Sequence, residues 1–199
     1  MNTIFGFTRK KSEKNGNIFV HCLFGKSSVF VNGFDQSTDY IVFMWREAFR
    51  HLPEAFSAQS VLMLGLGGGS AIKEIRNRFP GCEITVVEWD QAMIDIYHKI
   101  HKGENPISIV LGDASVVVPA MTETFDLVLV DLFTGNVTPK ELRSADMVGA
   151  ISDVTRSTGF CILNAFVSLD LLPVFDQHFL RKDTWKYRFN TLALYKPNS

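Results

Sequence analysis

Cysteine is scarce in this 199-residue chain: Cys22, Cys82 and Cys161 are scattered, odd in number and without metal-ligand spacing. That argues against a disulfide-stapled secreted scaffold and fits reduced thiols in a cytosolic protein. An excess of one charge is also lacking. Twenty Lys+Arg stand against 21 Asp+Glu, so no global field draws the chain to nucleic acid or anionic lipid. No apolar run approaches the ~20 residues of a membrane helix. The start, Met1 to Lys11, lacks the basic-then-apolar order of a signal peptide. Repeats and low-complexity tracts are absent. What remains is 46% hydrophobic and 21% charged, an ordinary globule rather than a disordered chain. The length suits one sizeable core with a small appendage and is too short for two domains of about 150 residues each. The expectation is a soluble cytoplasmic domain with a small-molecule ligand and no nucleic-acid or membrane partner.

The character of the chain changes once, near residue 58. Before it, the apolar stretches Ile4–Thr8, Ile18–Phe24 and Ser28–Val31 are broken by Lys14-Asn15-Gly16 and Asn32-Gly33, which tolerate positive φ, so strands joined by tight turns are expected. A helix from Asp39 to about His51 follows, ended by Pro53. Residues 1–57 therefore read as a β-rich extension plus a helix, and 58–199 as the main domain. There, strands at Val61–Leu64, Ile84–Val87, Ile107–Leu111, Leu127–Val130 and Phe160–Leu163 alternate with amphipathic helices. Thr138-Pro139-Lys140-Glu141 has the spacing of a capping box. Leu171, Leu172, Phe175 and Phe179 suit a fifth helix, and the tail reads as closing strands. Strands apolar on both faces imply a mostly parallel, doubly wound α/β sheet, with ligands at the carboxyl ends of its strands.

Those ends carry chemistry in order. The first runs into Gly65-Leu66-Gly67-Gly68-Gly69-Ser70, where the backbone can approach a ligand and the next helix offers unpaired N–H groups. The second ends in Glu88, able to accept both hydroxyls of a ribose. After the third come Gly112, Asp113 and Ala114: an acceptor for an adenine amino group and room for the ring, or a plain helix cap, or both. The fourth ends in Asp131, near the reacting end of such a nucleoside, whereas Asp126 at the start of that strand reads as structural. This order favours an adenosine ligand. A dinucleotide needs a second mononucleotide half, and too little chain remains for one. S-adenosylmethionine (AdoMet) or a relative needs only one.

These residues resemble the spermidine synthase family of aminopropyltransferases, which share the class I AdoMet-dependent methyltransferase fold. The resemblance covers about residues 28–166 and, more weakly, the tail. Val29 to Ser37 is similar to that family's strand and turn leading to its glutamine, here Gln36; Glu47, Leu52 and Pro53 follow in register. The resemblance implies cofactor contacts at Gln36, Gly65, Gly67, Gly68, Gly69, Glu88, Asp113 and Ala114, catalysis by Asp131, a pocket involving Trp45, Leu132 and Phe133, no metal, AdoMet or decarboxylated AdoMet as cofactor, and admits a homodimer.

Departures from the family are as informative. Its acidic pair facing the polyamine falls on Ile41 and Val42, its tyrosine before the glutamate on Trp45, the aspartate of its glycine loop on Gly68, and its Asp-Ser-Ser-Asp-Pro on Asp131 to Gly135. Unpaired buried ammonium groups are costly, so the missing acids argue against a diamine. Glycine at 68 removes a charge that would repel the carboxylate of AdoMet. Methyl transfer to a less cationic acceptor is therefore expected, with aminopropyl transfer and a non-catalytic nucleoside binder as alternatives. A core role suits Trp45 equally well. His98 and His101 read as surface residues, Cys161 as core, and Arg9, Lys10, Lys11 and Lys14 as a solvated hairpin tip.

Overall fold

In the central strands after residue 58, alternate side chains are apolar on both sides and the fold buries both, whereas the edge strand at 108–111, expected to be covered too, leaves Val110 and Leu111 exposed. The computed structural model describes residues 5–24 and 26–198; Ile4, the start of the first expected strand, lies outside them. Strands β1 (Phe5–Ser12), β2 (Gly16–Leu23), β3 (Lys26–Val31) and β4 (Phe34–Ser37) form an antiparallel sheet in chain order. Helix α1 (Asp39–Arg50) leads out of it. Then come β5 (Ser60–Leu64), α2 (Ser70–Arg78), β6 (Glu83–Glu88), α3 (Gln91–Ile100), β7 (Ser108–Leu111), α4 (Ala114–Val117) and β8 (Phe125–Val130). The chain closes with α5 (Ala145–Asp153), β9 (Thr155–Phe166), α6 (Leu172–Phe175) and the hairpin β10 (Phe179–Tyr187) and β11 (Asn190–Pro197).

The seven-stranded sheet has the order β10-β11-β9-β8-β5-β6-β7. The five strands from β9 to β7 are parallel, and β11 runs antiparallel to both its neighbours. Odd and even positions divide the core. Val61, Met63, Leu127 and Leu129 face one side, where Met44, Trp45 and Phe49 of α1 and Ile72 and Ile75 of α2 cover them. Leu62, Leu64, Val128 and Val130 face the other, under Val148 and Ile151 of α5 and Phe175 of α6. Successive strands step outward from β5 in both directions, so a crevice opens beyond the carboxyl ends of β5 and β8.

Two local expectations are corrected. Thr138 does not cap a helix: its hydroxyl pairs with Ser168 Oγ at 2.9 Å, Pro139 is extended, and residues 140–143 form only a 3-10 turn before α5. The apolar set Leu171, Leu172, Phe175 and Phe179 is buried as its spacing requires, but over a 3-10 turn and the four-residue α6, with Phe179 already in β10. Phe175, Phe179 and Tyr195 pack ring on ring, so core packing rather than helix continuity explains the spacing. Asp126 is structural as expected. Burial works against its charge, but Arg156 at 2.6 Å and the N–H groups of Gln59 and Ser60 prevail and hold its pKa below the usual value.

The N-terminal sheet lies against α3, with Ile18, Val29 and Val31 packed on Ala92, Met93 and Ile96. Its β1–β2 tip is fixed by Asp90, a buried N-cap. Asp90 Oδ1 accepts from Ala92 N, while Oδ2 accepts from Ser12 Oγ and Asn15 Nδ2, both at 2.5 Å. The basic run at this tip is thus partly committed: Lys10 pairs with Asp95, and Lys14 lies over the Trp89 ring. Removing Asp90 strands three buried donors. Asp90→Ala is expected to cost about 2–4 kcal/mol, lowering the melting temperature by roughly 5–15 °C. Asp95→Ala, which breaks only an exposed pair, should leave it unchanged. Equal effects of the two variants in thermal denaturation would contradict this account of the docking.

Candidate functional site

Parallel pairing brings the functional strand ends to one level. The ladder continues one step past the strands: Asp131 N donates to Leu64 O, Gly65 N to Val87 O and Gly112 N to Glu88 O, each at 2.9 Å. Gly65, Glu88, Gly112 and Asp131 therefore stand in a row above the crevice. They open onto a cavity of about 660 Å³. Of the residues singled out in the sequence, Gln36, Gly65, Gly67, Glu88, Asp113, Ala114, Asp131, Leu132 and Phe133 all line it. Gly65 has φ +91, and a Cβ there would stand 2.3 Å from Asp131 O, so the approach of β5 to β8 excludes any other residue.

Glu88 is 6% exposed and accepts Leu66 N at one oxygen and Asp90 N at the other, both at 2.9 Å. Burial raises its pKa, opposed by those two N–H groups. A carboxylate has about four lone-pair directions, so the cavity-facing ones remain for a ligand. Asp113 does what was expected of a cap, accepting Ser115 N and Oγ at 2.9 and 2.7 Å through Oδ1. Its Oδ2 makes no hydrogen bond among the described residues, so capping and ligand binding are compatible.

The remaining expected residues lie off the cavity wall. Gly68 faces β3 and β4: a Cβ there would be 2.3 Å from Ser37 Cβ and 2.8 Å from Val29 Cγ2. Close packing, then, is the reason for a glycine at this position. Gly69 caps α2 and lies against Tyr97 and His101. Trp45 is fully buried in the core, and its N–H has no hydrogen-bond partner among the described residues. It reaches the site only through Asp131, lying near enough to favour the charged carboxylate. His101 is not a plain surface residue, since Nε2 meets Gly68 O and Nδ1 meets Glu104, each at 2.9 Å. Among the described residues no group of His, Cys, Asp and Glu could hold a metal ion, and no helix is long and apolar enough to cross a membrane.

The sequence reading missed the support of Asp131. Asn164 Nδ2 donates to Asp131 Oδ1 at 2.8 Å; Asn164 Oδ1 accepts from Asn190 Nδ2 at 2.9 Å, and Asn190 Oδ1 accepts the Tyr40 hydroxyl. This chain, buried at its two asparagines, joins β9, β11 and α1. Burial of Asp131 dominates its titration and pushes its pKa up to about 6, against the hydrogen bond from Asn164 and the nearby Trp45. Beyond Asp131 lies a second cavity of about 250 Å³, which shares Gln36, Gly67, Asp131, Phe133 and Asn136 with the first.

A family model described as a methyltransferase domain matches residues 61–159. The chain is 24% identical over 110 residues to a probable polyamine aminopropyl transferase of Bifidobacterium longum, covering 55% of this chain and 25% of that protein. It is 31% identical over 118 residues to a polyamine aminopropyltransferase of Sulfurisphaera tokodaii, covering 55% and 39%. The matched stretch thus spans well under half the length of these relatives. Among solved structures, a spermidine synthase in complex with the transition-state analogue AdoDATO superposes with TM-score 0.73 at 14% identity, over 94% of this chain and 72% of that one. The N-methyltransferase NodS of Bradyrhizobium japonicum with S-adenosylhomocysteine gives 0.65 at 12% identity, over 82% and 90%. The fold is that of the class I methyltransferases in a spermidine-synthase-like form.

The pKa of Asp131 carries a stability signature. Below about pH 4 folded and unfolded chains both hold its proton; between about 4 and 6 only the folded chain does; above that neither does. The folded state therefore loses stability as pH rises through this window, by at most about 1.4 kcal/mol per unit. Asp131→Asn removes this dependence. In urea denaturation its stability relative to the parent is expected to rise by about 2–3 kcal/mol between pH 4 and pH 7. A difference that does not change with pH would contradict a carboxyl titrating near 6.

Proposed function

Starting from this spermidine-synthase-like methyltransferase fold, we propose that the chain is an AdoMet-dependent transferase that methylates a small acceptor. The observation that carries this reading is the single row of Gly65, Glu88, Asp113 and Asp131 on one cavity. Glu88 would hold the ribose hydroxyls, Asp113 and Ala114 the adenine, and the Gly65–Gly67 backbone the amino-acid end. Gln36, which donates to Gly135 O at 3.3 Å, joins the N-terminal segment to the loop after β8 and closes the crevice there. Bound AdoMet would supply an activated methyl group on its sulfonium, released to a nucleophile with a neutral thioether as leaving group.

The chain's own contribution is alignment and a proton acceptor. Holding reactants in line can lower a barrier by about 7–11 kcal/mol. Asp131 lies on both cavities, so it can orient an acceptor approaching from the smaller one and receive its proton. A base titrating near 6 is well matched to work close to neutrality.

Aminopropyl transfer from decarboxylated AdoMet is the second reading. One feature favours the intact cofactor. Lys140 lines the larger cavity and offers a cation to a ligand carboxylate. Calorimetric titration separates these readings: AdoMet should bind at least tenfold more tightly than decarboxylated AdoMet, and Asp131→Asn should retain AdoMet affinity while losing at least 100-fold in turnover. Tighter binding of decarboxylated AdoMet with turnover of putrescine would reverse the assignment. Unchanged function in Asp131→Asn would favour a non-catalytic nucleoside binder.

A further inference from the structure

The smaller cavity is the part of the site whose chemistry is least ordinary. Its walls carry the rings of Phe34, Tyr40, Phe133, Phe166 and Phe189, and its polar floor is made by Asp131, Asn164 and Asn190. Phe133 and Phe166 meet edge to face, with centroids 6.0 Å apart and planes at 83°. Phe166 holds φ +53, an uncommon conformation for a bulky side chain, at a point where its N–H donates to Asn164 Oδ1 at 3.1 Å. Strain of that kind concentrates at ligand sites.

The amides of the floor are already committed. Each donates to or accepts from its neighbour along the chain Tyr40–Asn190–Asn164–Asp131, so they offer a ligand little. Asp131 Oδ2, in contrast, makes no hydrogen bond among the described residues. No lysine or arginine among the described residues lines this cavity. Its other carboxylate, Asp35, is exposed to water, which screens it. The ligand thus meets one strong buried acceptor, with the aromatic rings and the amides of Gln36 and Asn136 around the rest of the wall. Ring faces stack with flat groups, and the Tyr40 ring already carries the Arg188 guanidinium. A volume of about 250 Å³ lies below the range of about 300–1,000 Å³ for drug-sized ligands.

We propose that this cavity takes a small monoamine with a flat apolar body, its nitrogen at Asp131 Oδ2 and its body among Phe34, Phe133 and Phe166. A diamine fits poorly, because its second ammonium would be desolvated among rings and committed amides. This rests on the reading of the larger cavity as the AdoMet site and names the acceptor class for it.

The test is calorimetric titration of the protein, first saturated with S-adenosylhomocysteine and then free, with 2-phenylethylamine, 2-phenylethanol and putrescine. The amine is expected to bind at least tenfold more tightly than the alcohol or the diamine. Asp131→Asn should weaken it at least tenfold, and Phe34→Ala severalfold, the latter with S-adenosylhomocysteine affinity unchanged. Putrescine or the alcohol binding as well as the amine, or no binding of the amine to either form, would overturn the proposal. Failure of S-adenosylhomocysteine alone to bind would count against the cofactor reading, and the titrations of free protein would still decide the amine.

Discussion

A single buried carboxylate couples the parts of this molecule that must agree for a site to exist. Glu88 accepts Leu66 N from the glycine loop and Asp90 N from the start of α3. Asp90 in turn holds Ser12 and Asn15 of the N-terminal hairpin. Loop, strand end, helix cap and hairpin are thus connected by hydrogen bonds to two adjacent acids. Burying such charges is costly unless they are satisfied, and here the bonds that satisfy them tie two cavity-lining residues, Glu88 and Asn15, to the loop and helix behind them. Asn15 lines the same cavity, so the N-terminal sheet takes part in shaping the site.

Asp131 is held in a contrasting way. The neighbours of Glu88 are backbone N–H groups from adjacent turns, whereas Asp131 depends on side chains brought from β9, β11 and α1. Its burial outweighs that support, so its carboxyl titrates near 6. The two acids are therefore suited to different work: Glu88 to fixed recognition, Asp131 to taking up and releasing a proton where two cavities meet.

Much of this was legible because period and position are local. Apolar strands pointed to the two-sided sheet, and a glycine or an acid at or just past each strand end pointed to Gly65, Glu88, Asp113 and Asp131. The support of Asp131 was not legible, because Asn164 and Asn190 are ordinary amides far from it in the chain. The one available signal was a polar residue continuing an apolar strand, since a buried amide must find partners. Gly68 suggested a charge argument from its position in a motif, and only the three-dimensional proximity of Ser37 supplies the steric one. The capping-box spacing at Thr138 lost to a tertiary partner, Ser168, that no local pattern reveals.

The central claim is that Glu88 grips a vicinal diol at the end of β6. Its most direct test compares the affinities of S-adenosylhomocysteine and its 2′-deoxy counterpart for the unmodified protein by calorimetry. One charge-assisted hydrogen bond is worth about 1.5–3 kcal/mol, so the deoxy compound should bind roughly 10- to 100-fold more weakly. Equal affinities, or no heat from either compound, would contradict the account.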